Sequence, residues 1–562
     1  MFQSPSCPAL PSPLPSCPRP CLWDALFLLL VSCYAWAILW AMPQISAGGA
    51  VLDSDLCTYA QATAGGAHPE LFAADPVLRE VTPSSSIQNL QSFLARLLTP
   101  GDDYPLGIYR ASALIILVFY TAWYLLGRVL FNSPGLAALL SVLAGVTIWL
   151  GWGTFWGLTH SDPIPRTCFA AIWPFLLFLV LAAWERPLLR PLTMLLTGLC
   201  MWVHGISALN SGAMFFLAFA LHRPLDAQQT WGKHALNCLY CLVAFLAPVV
   251  IFLWPSVFQS RQFSPEDMAV FQELFSLRWK KDYGRLAERL LALLDISRPF
   301  LPLVICGLCG WLLVLWRGSG LARRLAAMYP AFVLALGLVV VFSWLESLYA
   351  PQLGRLPLGH ELVRGLRFLV PLSWLMLLAA VGLIWCRLPG LLRLVLVAAT
   401  ILGILSFNPD RQNMAAQYGF SQLTGIPLPG SQRAQETREA ALHYREAIDQ
   451  VARLVPPGQL VAASGNDMAV RYLALRPLVH TFKDGAFFFY DKNAEYGRRW
   501  LHYNSMMQQS PTGYVDVWLG SGAPWLLTHR PQDKDLLLPH GQVVWSNDGW
   551  LIVRKQQTQE AE

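Results

Sequence analysis

Two aspartates, Asp53 and Asp55, stand two residues apart in the segment DSDLCTYAQ. In an extended segment both carboxylates point the same way, so they could share a metal ion, or one could take a proton while the other orients it. The same spacing also suits a solvated loop closed by an Asx turn. His160, Asp162 and Arg166 fall within seven residues of one another farther along, and His204 sits in WVHGI between two apolar runs. An ionisable residue in that setting is a functional candidate by default, although a lone histidine beside Trp202 and Val203 also serves as packing. Arg166, Arg364 and Arg367 each stand at the start of an apolar run. The planar guanidinium fork binds phosphate oxygens bidentately, and the alternative is a long side chain that only snorkels to water. Arg471, Arg476, His480, Lys483, Asp484, Arg498 and Arg499 crowd a later stretch, as either a basic face for anionic sugar or phosphate groups or an ordinary solvated one. The four aromatics Phe487 to Tyr490 would form an exposed apolar patch, which favours docking on a bundle or bilayer interface over sugar stacking.

These residues must be positioned by a chain with little use for water. Of 562 residues 55% are hydrophobic and 13% charged, against about 25% charged in soluble domains, which excludes a soluble globular enzyme. Residues 1–21 are crowded with Pro and Ser and read as a disordered tail. Eleven apolar runs follow, at 22–42, 107–127, 135–152, 167–184, 191–203, 205–221, 235–257, 299–316, 325–345, 368–386 and 390–406. Most match the roughly 20 residues a spanning helix needs. The fifth and sixth are short and parted by His204, as in a tight hairpin or broken helices buried in a bundle. Basic residues recur at alternate connections: Arg19, Arg128, Arg186 and Arg190, Arg223 and Lys233, Arg317, Arg323 and Arg324, Arg387 and Arg393. Because short cytoplasmic loops concentrate Lys and Arg, the expectation is an inside N-terminus, with loops 43–106, 153–166, 258–298 and 346–367 and the C-terminal segment 407–562 outside. The formal charge of +6 is spread along these loops and not gathered in one stripe, so no nucleic-acid partner is expected.

The segment 407–562 reads as a small α/β domain. A helix near 433–454 leads through Pro456-Pro457-Gly458 to strands near 460–463, 478–481, 525–528 and 542–545, the last starting the hairpin VVWSNDGWLIV. No glycine-rich phosphate loop follows a strand. Connection 258–298, with Arg278-Trp279-Lys280-Lys281, has the mix of an interfacial amphipathic helix. Cys238/Cys241 and Cys306/Cys309 lie inside apolar runs and read as packing thiols.

This layout, an all-α polytopic bundle of about eleven transmembrane helices with an acidic pair in a long first outer loop and a C-terminal outer α/β domain, resembles the GT-C superfamily of membrane glycosyltransferases. The match rests on Asp53 and Asp55, on the amphipathic stretch 87–98 and on the loop with His160, Asp162 and Arg166. A nearer likeness, through DSDLCTYAQ, HPELFAAD, DPIPR, WVHGI and RYLALRPLVHTFKDG, is to uncharacterised bacterial multi-pass proteins. The GT-C resemblance implies a polyprenyl-phosphate-linked sugar donor used at the outer face, and the expected location is a bacterial inner (plasma) membrane. It implies Asp53, then Asp55, as general base or acceptor organiser; beside them, the residues read above, His160, Asp162, Arg166, His204, Arg364, Arg367 and Lys483, stand as substrate-binding candidates. Families with adjacent acids differ from the Asp-x-Asp here, so base and metal-ligand roles stay open, the latter for a divalent cation such as Mg or Mn. The rival expectation is a non-enzymatic scaffold or transporter whose outer domain binds a partner.

Overall fold

The computed structural model describes residues 20–52, 54–79, 89–151, 154–159, 163–223, 230–257, 264–283, 293–350, 352, 359, 361–408, 410–490 and 493–556. Among them nine helices are long and apolar enough to cross a membrane: Leu22–Ile45, Tyr104–Phe131, Pro165–Ala183, Met201–Leu221, Trp231–Trp254, Phe300–Arg317, Gly320–Tyr349, Leu362–Trp385 and Gly390–Phe407. The shortest has 18 residues, about 27 Å at 1.5 Å per residue and close to the hydrocarbon thickness. The protein is an integral, multi-pass membrane protein.

Nine replaces the eleven expected, because two of the apolar runs are not helices of spanning length. Run 135–152 is helical only over Pro134–Gly145. That helix lies antiparallel on Tyr104–Phe131: Ser141 Oγ donates to Tyr120 O at 2.6 Å, while a Cβ on Gly127 would meet Ala137 Cα at 2.7 Å. The chain then turns into a hairpin, β1 Ile148–Gly151 against β2 Thr154–Trp156. Trp156 is buried against Trp123, Trp173 and Phe368, and its indole N–H donates to Ala144 O at 3.0 Å. Non-helical backbone is tolerated in a bundle where protein encloses it in this way.

Run 191–203 contains the Leu189–Leu199 helix, eleven residues and about 16 Å long. It folds back on Met201–Leu221, with backbone at His204 extended (φ −163°, ψ 102°). Arg190, fully buried, donates to Ala183 O (3.3 Å), Phe219 O (3.3 Å) and His222 O (3.1 Å), serving the open carbonyls at the ends of two helices. Asp24, an ionisable residue of the first span, is paired locally: its carboxylate meets Arg128 Nε at 2.7 Å and accepts from Tyr124 OH at 2.5 Å.

Beyond Phe407 come the helices Arg411–Thr424 and Pro429–Leu454, the second burying Ala434, Ala441, Ala447, Ile448 and Val451. A four-stranded sheet follows in the order β3-β4-β6-β5, built from β3 Val461–Ala463, β4 Trp525–Thr528, β5 Gly541–Ser546 and β6 Leu551–Lys555. The β3 and β4 strands are parallel and the other pairings antiparallel. The stretch 478–481 contributes one bridge, Leu478 to Val461, in place of the strand expected there. In the hairpin turn Asn547 Oδ1 accepts from the backbone of Gly549 and Trp550, as its side chain favours.

One fully buried guanidinium ties this segment to the first long loop. Arg471 donates through Nε to Asp75 Oδ2 (2.8 Å), through Nη1 to Gln61 Oε1 (2.9 Å) and Asp484 Oδ1 (2.8 Å), and through Nη2 to Asp484 Oδ2 (3.1 Å) and Leu478 O (3.2 Å). The basic face read around Arg471 is therefore not a face. Arg471, Arg476 and His480 are interior, and Arg498 pairs with Asp267. Phe487 and Phe488 pack with Phe72, Val270, Phe271, Leu274 and Trp500, so this docking is onto the first loop and the Pro265–Tyr283 helix. The side chains of Arg278 to Lys281, Phe489 and Tyr490 lie outside the described residues.

Candidate functional site

Asp55 occupies the first turn of the Ser54–Ala67 helix, which corrects the extended geometry assumed for the acidic pair. Its half-exposed carboxylate accepts from Lys483 Nζ at 2.7 Å, across 428 residues of sequence. Lys483 directly precedes Asp484, the buried partner of Arg471, so the Arg471 network fixes the backbone from which Lys483 reaches out. Two more cations act on the same carboxylate: Arg166, in the first turn of Pro165–Ala183, and Arg364, on the 3₁₀ turn Leu362–Phe368. Burial alone would raise the Asp55 pKa, but the Lys483 ammonium and its hydrogen bond, then Arg166 and Arg364, hold it below the usual carboxylate range.

Each cation is held in turn. Arg166 lies with its guanidinium carbon 4.0 Å from the centroid of Phe155, on β2. Arg364 pairs with Glu361 at 3.2 Å. Arg367 is 3% exposed and donates to Ser207 Oγ. Ser207 also meets His204: His204 Nδ1 accepts from Ser207 N at 3.2 Å and lies 2.9 Å from Ser207 Oγ. With Oγ accepting from Arg367 and donating to Nδ1, the ring proton falls on Nε2. Helix Met201–Leu221 and the 3₁₀ turn approach so closely that a Cβ on Gly365 would stand 1.8 Å from Asn210 Oδ1. Asn210 Nδ2 donates to Leu362 O at 3.3 Å across that contact.

Of the residues singled out in the sequence, Asp55, Arg166, Arg364 and Lys483 thus converge, with Arg367 and His204 joined to each other through Ser207 and both within electrostatic reach of Arg166 and Arg364. Asp53, His160 and Asp162 lie outside the described residues. Sequence reasoning missed Tyr59, Ser207 and Glu361. Tyr59 is four residues past Asp55 on the same helical face, and its hydroxyl pKa is pushed up by burial and by the Asp55 charge. Reading SDLCTYAQATAGGA as a helix exposes that pairing, and Glu361 stands one turn before Arg364.

Among the described residues the cluster holds four cations, Arg166, Arg364, Arg367 and Lys483, against two carboxylates, Asp55 and Glu361. That excess suits an anion and does not suit a divalent cation at Asp55, whose neighbours are an ammonium and two guanidiniums. No group of three or more His, Cys, Asp or Glu that could hold a metal occurs among the described residues. No protein-family model matches the chain, and no curated protein matches it in sequence.

Proposed function

We propose that this protein is a GT-C-like glycosyltransferase that takes a sugar from a polyprenyl-phosphate carrier. The observation that supports this reading most is the convergence of Arg166, Arg364 and Lys483 on Asp55, from segments far apart in the chain. An excess of cations gathered at the end of several apolar helices offers the phosphate of a lipid-linked donor a place at membrane-surface depth. In this reading the N-terminus is cytoplasmic, the site faces outward, and the C-terminal α/β domain closes over it and supplies Lys483.

In the transfer, an acceptor hydroxyl oxygen attacks the anomeric carbon and the bond from that carbon to the phosphate oxygen breaks. The electron pair leaves with the polyprenyl phosphate, whose charge Arg166, Arg364 and Lys483 stabilise. The acceptor proton passes to a carboxylate, for which Asp53 is the choice, because Asp55 is committed to Lys483 and is held a weak base. Inversion at the anomeric carbon follows from the single displacement.

The test is native mass spectrometry of the solubilised full chain for a co-purifying polyprenyl phosphate species. The expected result is a carrier adduct that is lost in Arg166→Gln/Arg364→Gln. Bulk phospholipid alone, unchanged by those substitutions, would favour a non-enzymatic scaffold instead.

A further inference from the structure

A groove of about 800 Å³ opens between the membrane bundle and the Pro429–Leu454 helix. Its bundle wall is made where Leu22–Ile45 ends and where Tyr104–Phe131 begins, so it lies at the boundary depth of two helices of spanning length. Asp102 and Asp103 line this wall. Arg438 and Arg445 line the opposite one, two turns apart on one helical face, with Leu442 between them. Arg445 is anchored, donating to Asp449 at 2.9 Å and to Gly48 O at 3.4 Å. Arg438 has no ion pair or hydrogen bond among the described residues, although it is half-buried. Asp102 is 60% exposed at its side chain and meets His68 Nε2 at 3.0 Å.

We propose that this groove binds the head group of a zwitterionic phospholipid bearing a primary amine, with the phosphodiester at Arg438 and Arg445 and the ammonium at Asp102 and Asp103. Charge complementarity selects the occupant. A purely anionic head group would set its second feature against two carboxylates, and a quaternary ammonium has no N–H to donate to them. Leu442, 44% exposed, and Leu473 give the groove apolar surface for the start of the acyl chains. None of these residues belongs to the Asp55 cluster, so the fate of this inference is separate from that of the transferase reading.

The experiment is native mass spectrometry of the detergent-solubilised full chain, titrated with dioleoyl lipids that differ only in head group. Phosphatidylethanolamine is expected to be retained about tenfold better than phosphatidylcholine or phosphatidylglycerol, the size of one charge-assisted hydrogen bond. Arg438→Gln and Asp102→Asn should each remove about that factor, and Arg438→Lys should restore most of it. Equal retention of the three lipids, or retention unchanged in both variants, overturns the proposal. So does competition by soluble O-phosphoethanolamine at the same concentration as the lipid, since the ligand would then come from solution.

Discussion

Lys483 and Asp55 form the contact on which the proposed site turns, and its two halves have different work. In the proposed transfer the ammonium is one of three cations offered to the donor phosphate, while the carboxylate holds that ammonium in place and is kept ionised by it. Replacing either residue breaks one charge-assisted hydrogen bond, worth about 1.5–3 kcal/mol, or about 10- to 100-fold in rate. Lys483→Met and Asp55→Asn are therefore each expected to lower transfer by about that factor, and the double variant by little more than the worse single one, because the pair acts as a unit. Steady-state kinetics on the four proteins measures this coupling, and full additivity would mean that the contact has no role in transfer. Because Asp55 is held below the usual carboxylate range, it stays charged through neutral pH, and Asp55→Asn should not shift a pH–rate profile near pH 7.

The elements that bring these residues together differ in how much of them the sequence reveals. The break at His204 is legible, since a lone polar residue divides two apolar runs that are each short for a span. Run 135–152 is not, because Val146 to Trp156 is as apolar as a helix, and only burial among Trp123, Trp173 and Phe368 makes it a hairpin. Arg471 carried a misleading signal because in sequence it sits among cations, and of its two acidic partners only Asp484 is near, 13 residues on, while Asp75 is 396 residues away. The 3₁₀ turn with Arg364 and Arg367 depends on one small residue. A methyl group at Gly365 would overlap Asn210 Oδ1, so Gly365→Ala must push the turn away from the Met201–Leu221 helix and carry both arginines with it. Overpacking of this kind costs about 1–3 kcal/mol. Thermal unfolding in detergent should show the loss, along with weaker donor retention, and Gly365→Ala/Asn210→Ala should recover part of both by making room. A Gly365→Ala protein as stable as the parent would show that this close approach is unimportant.

At the scale of the whole molecule, the C-terminal segment encloses ionisable groups in its own interior, and this makes stability sensitive to protonation. Asp467 follows β3, accepts from Gly465 N at 3.2 Å and is 7% exposed. Burial pushes its pKa up to about 7 from the ordinary 3.8, against the opposing pull of the Gly465 and Tyr444 hydrogen bonds. For an acid raised on folding, the folded state binds the proton more tightly than the unfolded chain. The resulting stability is complete below about pH 3.8 and is lost as pH rises through 7. The full span of that loss is on the order of 4 kcal/mol. His480 works the other way: burial lowers its pKa to about 4 from 6.5, so its stabilisation is present above 6.5 and disappears as pH falls toward 4. The two slopes oppose each other over pH 4–6.5, and a raw melting profile of the parent protein mixes them. The difference between the parent and Asp467→Asn isolates the carboxyl, because the amide is nearly isosteric and does not ionise. Asp467→Asn is expected to raise the melting temperature at pH 8, where the parent must bury a charge or take up a proton, and to raise it less or not at all at pH 5. A difference between the two proteins that does not change from pH 5 to pH 8 would mean that Asp467 titrates as an ordinary surface carboxyl.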